Sequence, residues 1–343
     1  MLSFRTQGYN GYSVKYSPYF DNKLAVATAA NFGLVGNGRL YVLSIQANGQ
    51  IANDLYFDTQ DGLFDIAWSE MHENHVVTAN GDGSVKLFDI TVPKFPIMQW
   101  KEHQREVFST AWNLAEKTTF ASSSWDGTIK IWSPNRKQSL MTLQAGKPQF
   151  QNNCAYQATF SPHNPNMLMS VNANGHVQLW DTRRPDPEVA DFIGHGGAET
   201  LCCDWNKYRS TVVATGGVDK MIKLWDFRMV PTKDSTPMAV PQAAPVPLNQ
   251  FIGHDFAVRR VVWSPHDGCE LLSCSYDMTA RVWHDQTDPN TRICRFKNHS
   301  KSKVFNQHRE FVVGGDYSLW GEPGWAATTG WDEMVYIWDS KRL

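Results

Sequence analysis

The chain has 343 residues, of which 42% are hydrophobic and 19% charged. It can therefore bury a sizeable core and does not have the composition of a disordered chain. The net charge of −2 gives no general attraction for nucleic acid, and no run of 18 apolar residues offers a membrane span.

The charge is uneven along the chain. Residues 1–90 hold nine Asp/Glu against five Lys/Arg, a net of −4, and the remaining 25 acids and 27 bases net +2. A basic partner would favour the surface built by the first part of the chain. The cysteines (Cys154, Cys202, Cys203, Cys269, Cys274 and Cys294) form no C-x-x-C pair and read as small apolar residues of a reducing compartment. The opening "MLSFRTQGYNGYS" has no basic region leading into an apolar run. It does not read as a secretion signal, and the expected location is cytoplasmic.

The predicted elements begin with a short strand in "LSFRTQ" (2–7), ahead of "YNGYSVKYSP". From there two series run along the chain in phase. An aromatic followed by Ser or Asn stands at Tyr16, Trp68, Trp112, Phe160, Trp205, Trp263 and Tyr317. Each is followed by a turn and an alternating run: "GNGRLYVLS" (36–44), "GDGSVKLFD" (81–89), "WDGTIKIW" (125–132), "NGHVQLWD" (174–181), "VDKMIKLWD" (218–226), "YDMTARVWH" (276–284) and "WDEMVYIWD" (331–339). The closing large residues are Leu43, Phe88, Trp132, Trp180, Trp225, Trp283 and Trp338, spaced by 45, 44, 48, 45, 58 and 55. A period of this length with Trp-Asp and Gly-His marks is the WD-repeat signature.

Each unit predicts four short strands. In the third these are "REVFSTAW", "TTFASSS", "TIKIW" and "SLMTLQ", with Asp-Gly as the tight turn between the middle two. The expected fold is all-β: a seven-bladed WD-repeat β-propeller spanning 1–343 as a single domain. The last unit stops after its third strand, so Leu2 to Gln7 is expected to complete the last blade beside Tyr336 to Asp339. The proline-rich 231–250 is expected to be a mobile loop within the repeat. Residues 285–303 read as a second irregular connection.

His, Ser/Thr, Asp and Trp recur together. The sets are His103, Ser122 or Ser124, Asp126 and Trp132; His195, Thr215, Asp219 and Trp225; and His254, Ser273 or Ser275, Asp277 and Trp283. A hydrolase needs one such set beside an oxyanion site. A set repeated in several blades predicts buried polar groups that satisfy one another. Metal-ligand spacings and Gly-rich phosphate loops are missing from the sequence, so neither metal nor cofactor nor enzymatic activity is expected. Function should lie in residues that vary between repeats and share one face.

Two sets of positions should border one face of the disc. One lies four and six residues before each series aromatic, and the other precedes the turn Asp or its equivalent. Together they place Phe64, Phe108, Tyr156, Phe311, Trp125, Tyr276 and Trp331 around the central opening, with Asp61, Asp65, Glu106, Glu199 and Glu310 among them. An aromatic surface dotted with acids suits a basic, amphipathic segment.

"YSPYFDNKLAVATAANFGLVGNGRLYVLSI", "QDGLFDIAWSE", "SSSWDGTIKIWSP", "NKYRSTVVATGGVDKMIKLWDFR" and "SYDMTARVW" together resemble the receptors for type 2 peroxisomal targeting signals, a WD-repeat peroxin family, over essentially the whole chain. The resemblance implies a non-catalytic cytosolic receptor that cycles to the peroxisome, its membrane and matrix. Its cargo would be matrix enzymes, such as peroxisomal thiolase-like enzymes, that carry an N-terminal signal of the form R/K-L/V/I-x5-H/Q-L/A. It also implies a helper co-receptor and peroxisomal docking proteins as partners. On this reading Asp61, Asp65 and Glu106 face the basic residue of the signal. Phe64, Phe108, Trp125 and Trp331 hold its apolar side, with Tyr156, Glu199, Tyr276 and Phe311 on the same face. The alternative is another WD-repeat adaptor, such as a ubiquitin-ligase substrate subunit or a histone-tail reader.

Overall fold

In the third repeat, alternation of apolar and small polar residues gives antiparallel strands Val107–Trp112, Phe120–Ser124, Thr128–Trp132 and Met141–Gln144. The turn between the middle pair closes on Asp126, whose carboxylate accepts the Thr128 amide at 2.8 Å. Gly127 takes the turn position with φ 82°, a left-handed conformation that glycine adopts without strain. A computed structural model describes this architecture for residues 1–146, 153–234, 245–287 and 302–343. Residues 235–244 of the proline-rich stretch and 288–301 of the second irregular connection lie outside the described residues.

The same four-stranded sheet occurs seven times. Six sheets use consecutive strands. The seventh combines Val312–Tyr317, Trp325–Gly330 and Met334–Asp339 with the N-terminal strand Leu2–Arg5. The chain is thus a seven-bladed β-propeller closed by its own beginning. The closing ladder pairs Leu2 with Ile337 and Arg5 with Met334. It therefore sits over Met334–Ile337, two residues earlier than the motif suggested. The Thr6 amide reaches the Glu333 carbonyl at 2.9 Å and Arg5 pairs with Glu333 at 3.1 Å, which pins the strand at the turn.

Blades cohere through the apolar layers between them. Seven buried clusters each join two neighbouring blades. The one joining last to first contains Val14, Tyr16, Val335 and Ile337, with Leu2 and Phe4 packed against it. Fully burying a side chain of this size stabilises by about 1.5–3 kcal/mol, so each blade depends on both neighbours.

The recurring polar residues form chains inside the blades. Ser273 Oγ lies 2.8 Å from Trp283 Nε1 and 2.7 Å from His254 Nε2, and His254 Nδ1 lies 2.7 Å from Asp277. The indole can only donate, so the serine oxygen accepts there and gives its proton to Nε2; Nδ1–H then donates to Asp277. The same order links Trp132, Ser122, His103 and Asp126, and Trp225, Thr215, His195 and Asp219. Ser124 is not in the chain, since its hydroxyl donates to the Arg105 carbonyl. A fourth chain, Trp338, Thr328, His308 and Asp332, completes the last blade. Ser122, Thr215, Ser273 and Thr328 are fully buried, so none is placed as a nucleophile.

One irregularity recurs in every blade. The first strand skips a residue in its pairing with the second at Tyr12, Phe64, Phe108, Tyr156, Leu201, Arg259 and Val313. Each is a β-bulge, a device that re-aims a side chain and turns up at the rims of closed sheets.

Candidate functional site

The two series of face positions converge. The backbone amides of Gly81, Trp125, Ala173, Val218, Tyr276 and Trp331 donate to the carbonyls of Gly62, Glu106, Cys154, Glu199, Ala257 and Phe311, at 2.9–3.1 Å. Each blade after the first therefore ties its turn to the start of its innermost strand at one end of the channel. The bulged residues lie just inside this ring.

Aromatic rings meet there in an unbroken cluster. Tyr156 touches Phe108, which stacks on Trp125 at 5.3 Å and meets Phe64 at 5.1 Å. Phe64 meets Tyr12 at 5.1 Å, and Tyr12 meets Trp331 at 5.9 Å. Trp331 in turn contacts Phe32, Phe311 and Tyr276. The indole N–H groups of Trp125 and Trp331 are buried without an acceptor. The core indole of Trp283 donates to a hydroxyl, whereas that of the core Trp263 also lacks an acceptor, so the rim position of Trp125 and Trp331 is what sets them apart. An unmet buried donor costs about 1–3 kcal/mol.

Arg259, at the bulge of the sixth blade, packs against the cluster. Its guanidinium carbon lies 4.7 Å over the Phe108 ring, and its Nη1 makes a long 3.5 Å contact to the Leu201 carbonyl. Among the described residues no carboxylate reaches ion-pair distance of it. Arg259 therefore places an unpaired positive charge at the mouth. Glu106, Glu199 and Asp61 are half-buried there. Glu106 is engaged by Arg105 at 3.5 Å, an exposed pair that a ligand can displace at small cost. Burial and the nearby Glu199 carboxylate raise the Tyr156 phenol above its usual range, so it stays a neutral donor.

The structure corrects two expectations about this face. Asp65 is 2% exposed and does not reach the rim. Below the bulge at Phe64 the ladder resumes with Asp65 opposite Ala79, which directs the carboxylate into the channel. There it accepts the Thr110 amide at 3.2 Å and faces Arg260 at 3.6 Å. Phe64, at 8% exposure, is the support on which Tyr12 and Phe108 rest rather than an open ring. Phe108, Trp125, Tyr156, Tyr276, Phe311 and Trp331 are half-buried at the mouth. Tyr12 and Arg259 belong to the site as well. Both occupy the position four residues before a series aromatic, so the pattern that found Phe108 also contained them.

The opposite end of the channel is a cavity of about 210 Å³ lined by Lys15, Asp204, Arg260 and Asp316 among others. Its charges are matched internally. Lys15 pairs with Asp316 at 3.3 Å, Lys207 with Asp204 at 2.9 Å, and both acids accept a backbone amide from the following blade. Among the described residues no group of three or more His, Cys, Asp or Glu is disposed to hold a metal ion. Among the described residues no helix is long and apolar enough to cross a membrane.

Comparison with known proteins adds two findings. Residues 94–133, 187–226 and 245–284 match the WD domain, G-beta repeat family. Curated relatives match over nearly the full length. The peroxisomal targeting signal 2 receptor of Komagataella phaffii is 50% identical, covering 100% of both chains. That of Saccharomyces cerevisiae is 46% identical, covering 99% of both. That of Homo sapiens is 34% identical over 90% of this chain and 86% of its own.

Proposed function

The chain belongs to the peroxisomal targeting signal 2 receptor family, and on that premise we propose that the aromatic end of its channel is where the signal binds. The ligand is an N-terminal amphipathic helix on matrix enzymes, of the form R/K-L/V/I-x5-H/Q-L/A. At 3.6 residues per turn its marked positions fall along one side. The observation that carries the reading is the continuous aromatic cluster at a channel mouth that holds the unpaired Arg259 and an acidic rim.

Each part has a role in this reading. Glu106, Glu199 and Asp61 hold the basic residue at the rim. Phe108, Trp125, Tyr156, Tyr276, Phe311 and Trp331 take the apolar side. Exposed ion pairs contribute about 0–1 kcal/mol each, whereas an aromatic anchor contributes about 2 kcal/mol or more, so the rings supply affinity and the acids orientation. The receptor works in the cytoplasm, with a helper co-receptor that covers the cargo, and cycles to the peroxisome through docking proteins at its membrane. The cargo includes thiolase-like enzymes. A general adaptor role in ubiquitin ligation or histone-tail reading is not favoured by relatives that match the whole chain.

The test is fluorescence anisotropy of a labelled signal peptide, with and without helper. Glu106→Lys and raised salt should both weaken binding, and Trp331→Ala should weaken it more. Binding indifferent to all three would place the signal elsewhere on the protein.

A further inference from the structure

The turn between the second and third strands of the first blade has no counterpart. It spans eight residues, 30–37, where the other six blades use three or four. Its sequence, "ANFGLVGN", presents Phe32, Leu34 and Val35 at 48%, 83% and 75% exposure. Single exposed apolar side chains are common on protein surfaces; three within four residues are not.

The loop is held, not loose. Asn31, Phe32 and Gly33 are consecutive left-handed residues, with φ of 48°, 57° and 69°. For a bulky residue such as Phe32 that conformation is strained, and strain of this kind persists where the surroundings enforce it. Here they do. Asn10 accepts the Phe32 amide at 2.8 Å and donates to the Trp331 carbonyl at 2.6 Å, clipping the loop to the last blade. The Tyr12 hydroxyl donates to the Phe32 carbonyl at 2.7 Å. Gly33 is wedged so closely that a Cβ would lie 2.6 Å from that hydroxyl and 2.9 Å from the Phe64 ring. The residues that lock the loop are thus neighbours or members of the aromatic cluster, and the Phe32 ring itself meets Trp331 at 5.5 Å.

We infer that this loop is a preformed apolar ledge that extends the mouth and takes the apolar side of the signal helix; the inference rests on the function proposed above. Two features favour that occupant. The ledge is continuous with the aromatic mouth through Phe32 and Trp331. It is also flanked by acid, and its nearest cation is engaged: residues 61 and 62 pack against its base, while the nearby Arg39 is held by Asp58 at 2.6 Å and by the Tyr9 and Tyr56 rings. A basic amphipathic segment matches such a surface. Because the ledge is ordered before binding, little entropy is lost in using it.

The experiment combines photo-crosslinking with affinity. A signal peptide carrying benzoylphenylalanine at its second, apolar position is bound to the full-length protein with helper and irradiated. Trypsin cuts after Lys23 and Arg39, so the ledge falls in one fragment, residues 24–39. The adduct should map to that fragment. Leu34→Asp and Val35→Asp, both at exposed positions, should each weaken peptide binding at least about fivefold. Phe32→Gly relieves the left-handed strain, so it should leave the melting temperature equal or higher while weakening binding. Adducts confined to other fragments, with affinity unchanged in the Asp variants, would overturn the ledge. If Glu106→Lys still weakened binding, the proposed function would stand without it. Absence of any peptide binding by the unaltered protein with helper would remove both.

Discussion

Ser273→Ala should destabilise the fold about twice as much as Ser170→Ala. Ser273 is fully buried and has two close partners, accepting from Trp283 Nε1 at 2.8 Å and donating to His254 Nε2 at 2.7 Å; the Arg281 carbonyl is distant at 3.5 Å. Alanine leaves an orphaned indole donor and an orphaned imidazole acceptor. At about 1–3 kcal/mol for each unmet buried group, the loss is about 2–6 kcal/mol. Ser170 is equally buried, but its one close partner is Trp180 Nε1 at 2.9 Å; Gln178 is distant at 3.4 Å. One orphan predicts about 1–3 kcal/mol. At roughly 2.1 cal/mol/K per residue, the unfolding entropy of 343 residues converts these to falls in Tm of about 3–8 °C and about 1–4 °C. Thermal melts followed by far-ultraviolet circular dichroism, repeated at several scan rates, measure both. Equal shifts would refute the claim that the imidazole and hydroxyl act as one chain. So would a Ser273→Ala protein as stable as the parent.

Two further outcomes follow from closure and charge. Deleting residues 1–7 removes the ladder from Leu2 to Arg5 and uncovers Val335 and Ile337; the melt should fall sharply, and an unchanged one would show that the ring closes without this strand. Acid should destabilise in two stages. Burial lowers the His254 pKa against the opposing pull of Asp277, so the unfolded chain takes up that proton first and stability should start to fall below about pH 6.5. Burial raises the Asp126, Asp219 and Asp277 carboxyls, but the hydrogen bonds from their histidines, the neighbouring amide and hydroxyl donors and nearby positive charge together outweigh it and hold all three low. Their contribution is present above about pH 3.9 and lost as pH falls through the folded values. A urea midpoint flat from pH 7 to pH 3 would contradict both assignments.

The architecture was legible because its marks repeat. Trp132, Trp225 and Trp283 recur at a fixed distance after a series aromatic, and a missing fourth strand beside "VYIWDS" left one place for "LSFRTQ". Register was less legible. The pairing of Leu2 with Ile337 is fixed by Thr6 and Arg5 meeting Glu333, contacts that carry no periodic signal. The error over Asp65 has a similar origin: a bulge at Phe64 is invisible to a count of alternating residues, yet it decides which way the next side chain points. Ser122 could not be separated from Ser124 by spacing, because the choice depends on which hydroxyl faces the indole. His308 and Asp332 stand 24 residues apart, as do His195 and Asp219, so that spacing would have revealed the fourth chain. Phe32 has no counterpart in another blade, so comparison among repeats could not weigh it.

The seven bulges have a consequence for how such a surface can change over time. Tyr12, Phe64, Phe108, Tyr156, Leu201, Arg259 and Val313 have no partner across the ladder. A substitution there changes no residue pair of the ladder, so the register of the blade does not depend on that side chain. The scaffold therefore carries seven addressable slots in a ring, each open to mutation independently of the register that holds its blade. Grafting a different set of seven side chains should retune what the mouth accepts while the disc beneath it stays the same.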